Sequence, residues 1–166
     1  LHFSKKLLEK LKKKKIKLIN ITLHVNGGTF LPIKTKNVND HIMHSEFGEI
    51  TKKSALEINK IKKDGGKVVA IGTTVLRLLE SSKDKKGLIK PFFGETNIFI
   101  KPGSKINTIN GLITNFHTPK SSLLLLVIAL LGEKKTKNLY EFAIKKKLRF
   151  FSYGDACLIW NINEQI

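Results

Sequence analysis

Apolar positions along this chain follow two rhythms, one near 3.6 residues and one near 2. Leu7, Leu8 and Leu11 share a helical face behind Ser4, a residue suited to capping. Lys12 to Lys15 follow at the end where cations suit the helix dipole. Ile21, Leu23 and Val25 then alternate with Thr22 and His24, predicting a strand that Asn26-Gly27-Gly28 breaks. Ala55, Ile58 and Ile61 predict a helix over Thr51 to Asp64, stopped by Gly65-Gly66. The run Val68-Val69-Ala70-Ile71 fits a buried strand. It leads straight into Gly72-Thr73-Thr74 and a helix with Val75, Leu78 and Leu79 on one side.

The second half repeats this order. Asn97 to Ile100 alternates like a strand ending at Pro102-Gly103, and Ile109 to Ile113 reads as another. Thr118-Pro119 reads as the N-cap and first position of a helix that Gly132 closes. Its core, Leu123 to Leu131, is wholly apolar and is expected to be buried on all sides; it is far shorter than the roughly 20 residues needed to cross a bilayer. Thr136 opens a further helix with Leu139, Phe142 and Ala143 inward, and Arg149 to Trp160 forms a last apolar segment. Helix, strand, tight turn and helix in succession predict an α/β fold: a mixed sheet with flanking helices. No internal repeat or long linker divides residues 1–166.

Composition narrows the class. With 166 residues, 41% hydrophobic and ten of them Phe, a sizeable core is within reach. The lone cysteine, Cys157, excludes an intramolecular disulfide framework or a Cys-based zinc cluster and suits a reducing cytosol. The basic N-terminus is followed by no signal-peptide core. Lys and Arg total 31 against 13 acidic residues, a net charge of +18, yet Arg77 and Arg149 are the only arginines. Nucleic-acid readers favour Arg, so the charge fits either a phosphate-binding surface or compositional drift on a solvated face.

Candidate chemistry sits in short polar blocks, each with a structural alternative. Gly72-Thr73-Thr74 lies where open α/β sheets bind ligands, beyond a strand and at a helix N-terminus. The alternative is a turn glycine and a capping Thr. His44 and Glu46 can form an acid/base pair, and His117 lies in the polar block TNFHTPKSS. A lone His is equally a hydrogen-bonded structural residue, and no zinc-type spacing is present. Arg149-Phe150-Phe151-Ser152-Tyr153-Gly154-Asp155 can stack a base, or be an aromatic strand and turn. Cys157 reads as a small apolar side chain.

The order of these blocks carries more. TLHVNGGTFLPI, MHSEFGEI, VVAIGTTVLRLLES, FGETNIFIKPG, LITNFHTPKSSLLLLV and RFFSYGDACLI closely resemble the S-adenosylmethionine:tRNA ribosyltransferase-isomerase family of queuosine biosynthesis, from Leu1 to about Ile159. Any one block is weak evidence; six in register are specific. The resemblance implies transfer and isomerisation of the ribosyl moiety of S-adenosylmethionine onto 7-aminomethyl-7-deazaguanine at the tRNA wobble position. Epoxyqueuosine forms, and adenine and methionine are released. It implies a large α/β domain with an inserted β-barrel domain, of which this chain is similar to the C-terminal half without the barrel. Leu1-His2-Phe3 resembles the end of a P-T-A-G-L-H-F block. The partners implied are tRNA, S-adenosylmethionine and the N-terminal half, in the cytoplasm, with no metal, redox cofactor or membrane.

On that resemblance His44, Glu46, His117 and Asp155 are the candidates for proton traffic. Gly72, Thr73 and Thr74 would hold the methionine carboxylate, and Phe151 or Tyr153 would stack on adenine or face the sulfonium. Arg77, Lys120 and Arg149 would touch anticodon-loop phosphates. Several positions depart from the family pattern. G-A-G-T-F appears as Asn26-Gly27-Gly28-Thr29-Phe30, the Ser after G-T-T is Val75, the aromatic pair after H-S-E is Phe47-Gly48, Ser104 replaces an aromatic and Thr118 a Leu. These changes also fit an inactive remnant acting as a lysine-rich RNA-binding module. An unrelated small-molecule enzyme is disfavoured by the lack of G-x-G-x-x-G or phosphate-loop fingerprints. A half-domain is further expected to leave strand edges or core surface uncovered and to depend on a partner.

Overall fold

The computed structural model describes residues 3–27, 32–35 and 37–160. Leu1, His2 and the Gly28-Thr29-Phe30 part of the block that begins at Asn26 lie outside the described residues. The elements in chain order are α1 (Lys5–Lys13), β1 (Thr22–His24), β2 (Glu46–Ile50), α2 (Lys52–Lys63), β3 (Val69–Ile71) and α3 (Thr73–Ser82). β4 (Phe92–Thr96), β5 (Gly111–Asn115), α4 (Ser122–Leu131), α5 (Glu133–Lys145) and β6 (Ala156–Trp160) complete them. The class is α/β as the sequence predicts, with the strands divided between two three-stranded sheets. One is antiparallel, ordered β1-β2-β4; the other is mixed, ordered β3-β5-β6, with β3 parallel and β6 antiparallel to β5.

Local chemistry explains the helix starts. Ser4 accepts a hydrogen bond from the Leu7 amide and caps α1 as anticipated, and Thr51 accepts from the Ser54 amide and caps α2. α4 differs: its cap is Ser121, whose hydroxyl accepts from the Leu124 amide and donates to the Thr118 carbonyl. Pro119 and Lys120 form a turn ahead of it, with Lys120 at φ 58°. α5 begins at Gly132 rather than Thr136, which instead sits in its first turn and donates its hydroxyl to the Gly132 carbonyl. Phe142 on α5 is exposed, not inward, while Ala143 is buried. α4 is not buried on all sides: Leu123, Leu126, Val127 and Leu130 face the core, and Leu124, Leu125 and Ile128 are half-buried.

The strand expected at Asn97 to Ile100 is irregular, and the strand lies at Phe92–Thr96 instead. Pairing with β2 decides this, Glu46 standing opposite Thr96 and Ile50 opposite Phe92. Thr96 then accepts the Ile98 amide on its hydroxyl, which turns the chain out of the ladder. β2 itself gives little sequence signal, because its inward positions are Glu46, Gly48 and Ile50. Gly48 is required by close approach: a Cβ there would lie 2.6 Å from a Leu78 methyl.

α3 is the element on which both sheets meet, contacting every strand from β1 to β5. Leu76, Leu78 and Leu79 are almost fully buried and pack with Ile50, Ala70, Leu112 and Val127 in one core. Two charged residues of α3 are buried as well. Arg77 forms an ion pair with Glu46 of β2, both side chains being at most 2% exposed. Its Nε donates to the Ile98 carbonyl, and Glu46 also accepts the Asn26 amide. Glu80 pairs with Lys83 and accepts from the amides of Asn107 and Thr108 and from the Thr108 hydroxyl, holding the turn before β5.

Because a buried charge without its partner is expensive, Arg77→Met or Glu46→Leu alone should destabilise the chain by about 3–5 kcal/mol. The double substitution should restore most of that loss. Urea titrations of the three variants measure it; a loss in the double variant equal to the sum of the two single losses would show that the pair is not the connection.

Candidate functional site

β3 and β5 run parallel and end side by side, so their C-terminal turns form the walls of one cleft. β3 passes into Gly72, at φ 95°, whose amide continues the ladder to the Ile113 carbonyl. That backbone region favours glycine, and no side chain caps α3. β5 passes into Phe116, His117 and Thr118. A third segment, the loop carrying Phe151 and Ser152, closes the cleft, which measures about 220 Å³ and is lined also by Thr73, Thr74, Thr114 and Asn115. Gly72, Thr73, Thr74, His117 and Phe151, far apart in sequence, are therefore brought together.

His117 is the titratable group of this cleft. Burial pushes its pKa down to about 4, so the imidazole is neutral at pH 7. Its Nε2 shares a 2.9 Å hydrogen bond with the Thr114 hydroxyl, the direction of which follows the tautomer. Its amide donates to the Tyr140 hydroxyl at 2.9 Å, and burial pushes the Tyr140 phenol up to about 12. Tyr140, Phe116 and Phe150 make an aromatic cluster behind the imidazole, with centroids 5.2 to 5.9 Å apart. Tyr140 gave no signal in the sequence, because an aromatic at helical spacing on α5 reads as core.

The loop from Arg149 to Asp155 is a tight knot. The Asp155 carboxylate accepts from the Arg149 amide at 2.8 Å and from its guanidinium at 3.2 Å. Asn115 donates to the carbonyls of Gly154 and Asp155 at the end of β5. Phe151 is 58% exposed at φ 69°, its amide held by the Phe116 carbonyl. Such strain in a non-glycine residue is sustained only where the surroundings over-determine it. Asp155, expected among the proton carriers, thus fastens the loop that presents Phe151. Cys157, on β6, has its thiol pushed up to about 11 by burial, in keeping with an inert side chain.

Other sequence-predicted residues fall elsewhere. Arg77 cannot touch tRNA phosphates as expected: it is buried and paired to Glu46 in the core. Glu46 is correspondingly sequestered and does not line the cleft, and neither does His44, which is exposed at the head of β2. Tyr153 is 83% exposed at the loop tip. Lys120 and Arg149 are exposed, next to the Thr118 wall and on the Phe151 loop respectively. Among the described residues no group of three His, Cys, Asp or Glu side chains is placed to hold a metal ion, and no helix is long and apolar enough to cross a membrane.

Fold and cleft together define an α/β protein of the kind that gathers polar groups beyond the carboxyl ends of parallel strands. The profile described as "Queuosine biosynthesis protein" matches residues 1–159. The chain belongs to that family. It is 52% identical over 159 residues to the S-adenosylmethionine:tRNA ribosyltransferase-isomerase of Zymomonas mobilis, covering 96% of this chain and 46% of that protein. The protein of the same name from Rickettsia felis is 49% identical over 160 residues, covering 96% and 43%. The crystal structure of S-adenosylmethionine tRNA ribosyltransferase from Thermotoga maritima superposes with a TM-score of 0.77 at 35% identity, covering 95% of this chain and 50% of that one. The chain spans about half the length of the relatives it matches.

Two measurements probe the site. A His whose folded pKa is depressed loses stability on acidification: the unfolded chain takes up a proton below about pH 6.5, which the folded chain resists until about pH 4. Stability should therefore fall across that window, and His117→Asn should flatten the fall. An imidazole NMR titration placing His117 near 6.5 would contradict the burial argument. Gly154→Ala should unfasten the loop, since its Cβ would lie 2.4 Å from the Arg149 carbonyl oxygen and 2.5 Å from that of Phe150. The expected result is a loss of about 2 kcal/mol or more in a denaturant titration.

Proposed function

We propose that this chain forms the ligand-binding core of an S-adenosylmethionine:tRNA ribosyltransferase-isomerase, acting in the cytoplasm on S-adenosylmethionine and a tRNA bearing 7-aminomethyl-7-deazaguanine at the wobble position. One observation carries this reading: three separate motif blocks, G-T-T, N-F-H and F-F-S-Y-G-D, converge on one cleft in a member of the queuosine biosynthesis family.

In this reading the uncapped first turn of α3 receives the methionine carboxylate, with Thr73 and Thr74 hydroxyls beside it. Phe151 offers its ring to adenine or to the sulfonium, a cation that favours an aromatic face. His117 is neutral and half-buried in the cleft wall, so it can take the proton acidified on the carbon next to the sulfonium as adenine departs. The aminomethyl nitrogen then loses a proton as it attacks the sugar, and methionine leaves as the epoxide closes. Lys120 and Arg149, exposed beside the cleft, are placed to meet backbone phosphates of an anticodon loop whose target base is splayed out. In this reading Glu46 acts on the site through Arg77 and α3, and Asp155 through the Phe151 loop. We read the reaction as needing no resident metal or redox cofactor.

The test joins this chain to the complementary half of the Zymomonas mobilis relative and assays adenine and methionine release with substrate tRNA. Release is expected, with His117→Asn lowering kcat by roughly 10²-fold or more while leaving S-adenosylmethionine binding in place. Lys120→Glu should raise the tRNA KM and reduce its salt dependence. Failure to release either product overturns the enzymatic reading. Salt-sensitive tRNA binding that ignores S-adenosylmethionine would instead mark an RNA-binding remnant.

A further inference from the structure

We infer that Tyr140 is a positioning residue of the cleft, setting the His117 imidazole through its hydroxyl and the Phe151 loop through its ring. It rests on the proposed reading of His117 as the base and Phe151 as the aromatic platform. Tyr140 stands on α5, behind the cleft and not on its lining. It lies at helical spacing from Thr136 and Ala143, which are 4% and 0% exposed, so all three belong to the inward face of that helix. A side chain on a packed helix face has a fixed origin from which to hold its neighbours.

The hydroxyl acts on one wall. The His117 amide donates to it at 2.9 Å, while the imidazole Nε2 shares its 2.9 Å hydrogen bond with the Thr114 hydroxyl of β5. His117 is thus held at both ends, its backbone by α5 and its ring by β5. Rotation of the ring is opposed by the Thr114 bond, and movement of the turn that carries it by the Tyr140 bond. Burial pushes the phenol up to about 12, so the hydroxyl is a neutral acceptor at pH 7. A base must lie within hydrogen-bond reach of the proton it takes, and a misplacement of about 1 Å can cost roughly 10²-fold in rate.

The ring acts on the other wall. Phe116 precedes His117 and Phe150 precedes Phe151. Tyr140 meets both edge-to-face, with centroids 5.5 and 5.9 Å away and interplanar angles of 82° and 75°. Phe116 and Phe150 also meet each other at 5.2 Å. The Phe116 carbonyl accepts the Phe151 amide at 2.9 Å, so the three rings pack at the root of the loop from which Phe151 lines the cleft. One side chain therefore reaches both walls, and substitution can separate its two parts.

Tyr140→Phe keeps the ring and removes the hydroxyl; Tyr140→Leu removes both. NMR of this chain, without tRNA or S-adenosylmethionine, reads the positions directly. In Tyr140→Phe the His117 amide has lost its acceptor and should exchange with solvent roughly tenfold faster or more. Its imidazole titration should move up from about 4 towards the ordinary 6.5, while the Phe151 ring shifts stay in place. In Tyr140→Leu the Phe151 shifts should move as well. In the chain joined to the complementary half of the Zymomonas mobilis relative, Tyr140→Phe should lower kcat for adenine release by roughly tenfold with the S-adenosylmethionine KM unchanged. Tyr140→Leu should raise that KM too. Glu141→Gly, at an exposed position of the same helix, should lower the urea midpoint and alter none of these readings. A Tyr140→Phe chain whose His117 exchange and titration match the parent overturns the inference. So does an unchanged kcat, or changes that Glu141→Gly reproduces. If the NMR changes occur but the joined parent enzyme releases no adenine, the hold of Tyr140 on His117 stands and the proposed reaction falls instead.

Discussion

The ion pair between Arg77 and Glu46 joins two sheets that share no strand. Its carboxylate stands on β2 of the antiparallel sheet, and its guanidinium on α3, the helix that follows β3 of the mixed sheet. Apolar packing around Leu78 and Gly48 supplies attraction between these layers but tolerates sliding. A buried ion pair does not, because displacement would strand both charges in a medium that cannot solvate them. The Arg77 Nε bond to the Ile98 carbonyl and the Glu46 bond to the Asn26 amide tie the flanking loops to the same point. α3 is thereby fixed in position, and with it the Gly72–Thr74 turn that forms one wall of the cleft.

The opposite wall is fixed by a different kind of chemistry. Asn115, Asp155 and Gly154 close the aromatic loop through main-chain contacts too tight for any side chain at Gly154. Phe116, Tyr140 and Phe150 pack together beside His117, whose amide donates to the Tyr140 hydroxyl. A neutral imidazole, an uncapped helix end and a strained, exposed phenylalanine are each of modest significance alone. Their convergence puts an imidazole, free helix N–H groups and an aromatic ring around one small volume.

The sequence was most legible where chemistry is local. Ser4 caps its helix, Gly65 and Gly132 end theirs, and Val69 to Ile71 is a strand leading into a glycine turn. It was least legible where partners are distant. β2 hid behind an inward Glu and Gly, since the first needs Arg77 and the second needs Leu78. The alternation at Asn97 to Ile100 pointed to a strand that long-range pairing placed five residues earlier. Arg77 read as a phosphate contact because one of two arginines in a lysine-rich chain carries no sign of burial.

By itself the sequence determined the α/β class, the elements from α1 to β1 and from α2 to α3 and, through six motif blocks in register, the family. These depend on backbone propensities and on residue order, which are properties of the chain. Only the tertiary structure decided which motif residues share a site. It placed Gly72, Thr73, Thr74, His117 and Phe151 together, moved Arg77 and Glu46 into the core, and gave Asp155 to the loop. Burial and pairing across tens of residues set whether a charged side chain meets solvent, ligand or another charge. No local pattern carries that information.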